Sequence, residues 1–307
     1  MSNGKGVVAT HTNFSGLLLV ILALALAQGC ATPPKRNPPP ENLHEKARVA
    51  GIPKARYWGD EAPPFAKDFS TMSSEELQVR YPALVNRPLA FLAISGGGSN
   101  GAFTSGLLNG WSDAGTRPDF GIVTGISTGA LVAPFAYLGA EYDDKLKEVY
   151  TTVTDDDIFV ERGLGGLIEL NAVADSAPLR ATIGKYIDGG VMQAIADEHR
   201  QGRILLVGTT NLDAERPVVW NIGEIAISGV PGALDLIHDV MLASASIPVA
   251  FPPHISQVDV DGTRYDEMHV NGGVTRQSFI FNHSGSRSIV VRLHGFLNVF
   301  AGAKRVV

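Results

Sequence analysis

The apolar positions of this chain fall into two kinds of pattern. Leu89-Ala90-Phe91-Leu92-Ala93-Ile94, Phe120-Gly121-Ile122-Val123 and Ile204-Leu205-Leu206-Val207 are short, nearly unbroken runs. Runs of this length without polar alternation fit strands covered on both faces. Elsewhere the spacing is helical: Leu234, Ile237, Met241 and Ala245 share one face of a helix over 233–245. Further helices are expected over 102–111, 130–138, 142–152, 178–187 and 191–200. Further strands are expected over 217–221, 254–260, 264–270 and 288–293. Ser73 stands three residues before Glu76, the spacing of a capping box that opens a helix at 74. Residues 163–171 are glycine-rich and apolar with neither period, and they are a candidate lid. Strands alternating with helices predict the α/β class with parallel strand pairs.

The N-terminal ninety residues do not follow that alternation. Leu17 to Ala27 is an eleven-residue apolar run behind Lys5, too short for a typical spanning helix and suited to the core of an export signal. The run leads into Leu26-Ala27-Gln28-Gly29-Cys30, and Cys30 is the only cysteine in the chain. No internal disulfide is therefore possible. A lone cysteine after a signal core resembles a bacterial lipobox, in which the cysteine becomes the lipidated first residue. Ala27 and Gln28 depart from the usual box, and plain secretion is the alternative. The expectation is an exported cell-envelope protein, held to a membrane through a lipid on Cys30. Residues 31–64 hold eight of the 18 prolines and read as an extended tether, with 65–88 a mixed N-terminal segment.

Charge narrows the partners. The net charge of −6, with no basic run, argues against nucleic acid, whose phosphates need neutralising. It also offers no attraction to anionic lipid, so lipid binding would be apolar or through the anchor. Histidines and carboxylates do not cluster at ligand spacing, so neither a metal nor a cofactor is expected.

The chemistry concentrates at Gly125-Ile126-Ser127-Thr128-Gly129, set between a strand and a helix. In that context G-x-S-x-G exposes the serine oxygen at a tight turn and at a helix N-terminus. Taken alone the motif fits a serine N-cap with packing glycines. Upstream, the first apolar strand ends in Gly96-Gly97-Gly98-Ser99-Asn100-Gly101, a turn whose backbone N–H groups could face an oxyanion. Gly96, Gly98 and Gly101 also fit a dinucleotide loop. Asp119, near the required offset, precedes a strand instead of ending one, which disfavours that reading.

The glycine loop, the G-x-S-x-G turn and then Asn271-Gly272-Gly273 resemble the patatin-like phospholipases in order and spacing. Thr209 to Asp213 and Ala243 to Pro253 resemble further blocks of that family, and the likeness spans about 89–292. The resemblance implies a three-layer α/β/α fold around a central, mostly parallel sheet, in a domain over 89–307. It implies hydrolysis of lipid or phospholipid acyl esters by a Ser–Asp dyad without histidine. Ser127 would be the nucleophile, residue 271 the base, and the amides of Gly96, Gly97 and Gly98 the oxyanion donors. Gly101, Gly125, Gly129, Gly272 and Gly273 are the motif glycines.

Three departures stand out. Asn271 occupies the place of the family's aspartate, and an amide cannot take a proton at neutral pH. Asn100 stands where many members carry Arg or Lys. The chain stops at Val307, short of the family's usual ending, which reads as a truncated or frame-altered C-terminus. An impaired hydrolase is thus expected, with a catalytically silent lipid- or partner-binding lipoprotein as the alternative. A third reading, a histidine-dependent α/β-hydrolase, needs His254, His269, His283 or His294 within reach of Ser127.

Overall fold

The computed structural model describes residues 36–86, 88–153, 160–161 and 174–279. In chain order the strands and helices are β1 (Arg56–Trp58), α1 (Pro64–Thr71), α2 (Ser74–Arg80), α3 (Pro82–Val85), β2 (Ala90–Ile94), α4 (Gly101–Asp113), β3 (Phe120–Ile126), α5 (Thr128–Leu138) and α6 (Asp143–Thr152). There follow β4 (Val160–Glu161), β5 (Ala174–Asp175), α7 (Ala177–Tyr186), α8 (Gly189–Arg200), β6 (Ile204–Asn211), β7 (Arg216–Asn221), α9 (Ile222–Ile227), α10 (Ala233–Ala245), β8 (His254–Val260) and β9 (Thr263–Asn271). The expected lid at 163–171 and the strand at 288–293 lie outside the described residues.

One sheet runs β1-β7-β6-β3-β2, with β9 also paired to β6 and β8 paired to β9. β2, β3 and β6 run parallel, with β2 at the end of the order; β7 and β9 pair antiparallel with β6, β1 with β7 and β8 with β9. Every residue of β3 and β6 is buried, as their unbroken apolar runs require. Alternate side chains feed two cores. Val123, Leu205 and Val207 join a cluster with Ala133, Ile183, Ile195 and Ile237 from α5, α7, α8 and α10. Ile122, Ile126, Ile204 and Leu206 join Leu77, Tyr81 and Leu84 on the other face. Helices therefore cover both faces of the sheet, giving the three layers expected.

Ser73 caps α2 as anticipated. Its hydroxyl accepts the Glu76 N–H at 3.2 Å, and the Glu76 carboxylate accepts the Ser73 N–H at 2.8 Å. β8 and β9 are joined through Asp261 and Gly262, both with positive φ, the conformation a two-residue hairpin turn needs.

The tether reading requires correction within the described part of 31–64. Ala47, Ile52, Ala55 and Trp58 are buried, and β1 pairs with β7 at the sheet edge. Proline content lowers the tendency to form regular structure, yet an extended edge strand needs only a few free backbone groups. Trp58 and Arg56 supply the burial that holds it there.

Candidate active site

β6 organises the site. Along one of its edges the first half pairs with β3 and the second half with β9, which runs the opposite way. Ile126 of β3 stands opposite Gly208, and Asn271 of β9 stands opposite Thr209, the next residue. Two strands far apart in sequence therefore meet end to end, and the residues at their tips are Ser127 and Asn271. The junction is tight: a Cβ on Gly272 would come 2.4 Å from the Gly208 carbonyl oxygen.

Ser127 sits between β3 and α5 with φ 57° and ψ −128°. A non-glycine residue with positive φ is strained unless its neighbours hold it. They do so closely here. A Cβ on Gly125 would meet the Gly129 oxygen at 2.4 Å, and one on Gly129 would meet the Ile94 oxygen at 2.4 Å. The Ser127 N–H donates to Ser244 Oγ at 2.9 Å, and Ser244 Oγ donates to the Gly208 carbonyl at 2.7 Å. The Asn271 N–H donates to the Ser246 carbonyl at 2.8 Å. The C-terminal end of α10 thus braces both strand tips. Ser244→Ala is expected to leave two buried backbone groups unpaired and to cost about 2–4 kcal/mol. Urea unfolding checks this, and a loss below about 0.5 kcal/mol, the usual scale of a neutral surface change, would contradict the bracing role.

The side chain of Asn271 connects directly to Ser127. Its Nδ2 donates to Ser127 Oγ at 2.9 Å, while its Oδ1 accepts the Gly273 N–H at 2.8 Å. Both residues are buried, Ser127 to 7% exposure and Asn271 to 6%. Ser127 also stands at the N-terminus of α5, where unpaired N–H groups favour negative charge.

The glycine loop lies beside this pair. A Cβ on Gly96 would fall 2.9 Å from Ser127 Cβ. The Gly96 N–H, expected to face an oxyanion, instead donates to the Gln277 carbonyl at 3.3 Å. The N–H groups of Gly97 and Gly98 have no intramolecular partner among the described residues. Thr128 Oγ1 donates to the Gly98 carbonyl at 2.8 Å and holds the loop against the turn. Gly101 packs against Tyr150 and Thr128, with no room for a side chain.

The described histidines are engaged elsewhere. His269 bonds Glu267 and Thr209, and His254 lies 3.7 Å from Asp239. His283 and His294 lie outside the described residues. Among the described residues no group of three His, Cys, Asp or Glu is placed to hold a metal, and no helix is long and apolar enough to cross a membrane.

Behind Asn271 runs a buried polar chain that the sequence did not reveal. Arg56 forks onto Glu267, with Nη2 at 2.8 Å from Oε1 and Nη1 bonding Oε2. His269 Nε2 lies 3.1 Å from Glu267 Oε2, and Nδ1 lies 3.0 Å from Thr209 Oγ1. Thr209 Oγ1 also accepts the Trp220 indole N–H at 2.8 Å. A carboxylate only accepts, so Nε2 carries the proton and Nδ1 accepts from Thr209. Burial pushes the Glu267 carboxyl up, but hydrogen bonds from His269 and Arg56 outweigh it and hold it at about 2. Burial holds His269 below the ordinary imidazole value.

Both groups act in the same direction on acidification. The unfolded chain takes up a proton on His269 below about pH 6.5, and on Glu267 below about 4.3, before the folded chain does. Stability is therefore full above both values and falls as pH drops through them. The thermal midpoint is expected to be lower at pH 5.5 than at pH 7.5, with a smaller drop in His269→Gln. An identical drop in that variant would assign the effect to other groups, such as His254.

The family model for patatin-like phospholipases matches residues 92–280. The chain belongs to this family, a family of lipid acyl hydrolases. No curated protein matches the chain. Among solved structures, the crystal structure of VipD from Legionella pneumophila is similar, with a TM-score of 0.43 and 12% sequence identity. That similarity covers 86% of this chain and 54% of VipD, so the chain spans about half the length of that protein.

Proposed function

We propose that the chain is a serine acyl hydrolase of lipid or phospholipid esters, built around Ser127 and residue 271 and slowed by the asparagine at 271. The observation that carries this reading is the 2.9 Å hydrogen bond between the two side chains, at the end-to-end junction of β3 and β9. Ser127 Oγ attacks the ester carbonyl as its proton passes to solvent water, and the alcohol leaves with a proton. A water then cleaves the acyl-serine to the free acid. The free N–H groups of Gly97 and Gly98 and the N-terminus of α5 stabilise the oxyanion. The asparagine takes the place of the family's aspartate and holds the hydroxyl without accepting its proton.

A second reading has its own support. Asn271 donates to Ser127 Oγ, so the pair offers an anchored acceptor and no base. The chain would then bind lipid without turning it over. In both readings it is an exported lipoprotein tethered through Cys30, as the apolar run and solitary cysteine suggest.

Fatty-acid release from phosphatidylcholine vesicles separates the two. Asn271→Asp is expected to release fatty acid, and Asn271→Asp with Ser127→Ala to release none. Vesicle binding without release by either protein would favour the binder. The anchor is tested by Cys30→Ser, which is expected to move the protein from the membrane to the soluble fraction.

A further inference from the structure

A cavity of about 360 Å³ lies at the other end of β6 from Ser127. Ile204, the first residue of β6, lines it; Gly208, beside Ser127, is four residues on, about 13 Å along the strand. The walls are apolar and aromatic, from Tyr57, Phe65, Tyr81 and Ile204. The volume falls within the range of small-molecule sites.

The polar groups on its surface are unevenly matched. Its two carboxylates are already engaged. Asp68 accepts from the Tyr81 hydroxyl at 2.6 Å and pairs with Arg80 at 2.9 Å, and Glu224 lies 3.7 Å from His199. Tyr57 differs from Tyr81: its hydroxyl has no hydrogen-bond partner among the described residues. Burial pushes its phenol far above the ordinary range, so it remains a neutral donor at any working pH. Asn221 uses Oδ1 to cap α9 through the Glu224 N–H at 3.2 Å, and its Nδ2 has no partner among the described residues. Lys54, at the rim, forms no ion pair within contact distance among the described residues, though it is close enough to help hold Glu224 ionised. The unpaired groups are thus a hydroxyl that can donate, an amide NH₂ and an ammonium. A group with acceptors only and a single negative charge satisfies all three.

We propose that this cavity binds a small carboxylate with a ring-sized apolar body. The carboxylate accepts from Tyr57 and Asn221 beneath the charge of Lys54, and the body packs against Phe65 and Tyr81. The site is separate from Ser127 and stands whether or not the chain hydrolyses esters.

Benzoate is a suitable probe, with benzyl alcohol as its uncharged counterpart, titrated by isothermal calorimetry. One saturable benzoate site is expected, with benzyl alcohol at least tenfold weaker. Tyr57→Phe keeps the ring and removes only the unpartnered hydroxyl, so the fold is retained, and affinity is expected to fall about tenfold or more. Lys54→Ala, at an exposed position, is expected to weaken benzoate several-fold and to leave benzyl alcohol unchanged. Ser127→Ala is expected to bind benzoate as the parent does. Absence of saturable binding, equal affinity in Tyr57→Phe and Lys54→Ala, or loss of binding in Ser127→Ala would each overturn the proposal.

Discussion

Replacing Asn271 by aspartate is expected to raise ester turnover by about 10³-fold or more, by analogy with carboxylate loss in serine triads. The local geometry gives the reason. The Gly273 N–H is only a donor, so it takes an oxygen of residue 271, whichever residue is present. The other arm faces Ser127 Oγ. In asparagine that arm is an NH₂, which donates to the hydroxyl oxygen and cannot accept its proton. In aspartate it is a carboxylate oxygen, which can both orient the proton and take it. Turnover of a p-nitrophenyl ester measures the gain. Equal turnover by the two proteins would mean that another group is the base. Asn271 precedes Gly272, so deamidation could supply aspartate in an aged sample. The side-chain amide is held at both ends and would have to leave both bonds to cyclise, so conversion is expected to be slow. Peptide mass at 271 monitors it, since replacing NH₂ by OH at the amide adds about 1 Da.

The second large effect is on stability. Arg56→Leu is expected to cost about 3–5 kcal/mol, because it leaves Glu267 ionised without its guanidinium in a fully buried place. His269 remains as a partner, so part of the loss should appear as a higher Glu267 pKa and a steeper dependence of stability on acid. Removing both charges in Arg56→Leu with Glu267→Leu is expected to recover much of the loss, since two apolar side chains need no pairing. Urea unfolding of the two single variants and the double variant measures the coupling. A single-variant loss below about 1 kcal/mol, the range of exposed pairs, would contradict the burial argument.

The central strands could be read from the sequence because β3 and β6 are covered on both faces, and that covering demands unbroken apolar runs. The G-x-S-x-G turn was legible for a steric reason: backbone lies where side chains at 125 and 129 would go. The N-terminal edge strand was not. Its partner Arg216–Asn221 lies some 160 residues further on, and local proline content says nothing about such a pairing. Asn271 was found through motif order, but its approach to Ser127 depends on β3 and β9 abutting along β6, which no local pattern encodes. Ser244, in the last turn of α10, and Ser246, just beyond it, look like small residues in an apolar stretch; their hydrogen bonds to both strand tips exist only in the folded chain. Glu267 is taken up by Arg56 and His269 and so is not a base for Ser127. The engaged Gly96 N–H could not have been foreseen, because its acceptor is the carbonyl of Gln277, beyond the motif.

Covalent capture reports directly on whether Ser127 is the nucleophile and residue 271 its base. The protein and its Asn271→Asp variant are incubated with a fluorophosphonate, and the modified peptide is located by mass spectrometry. A single adduct on Ser127 is expected, formed rapidly in Asn271→Asp and far more slowly while Asn271 remains intact. An adduct on a different serine, or equal rates in the two proteins with no deamidated fraction, would contradict that assignment.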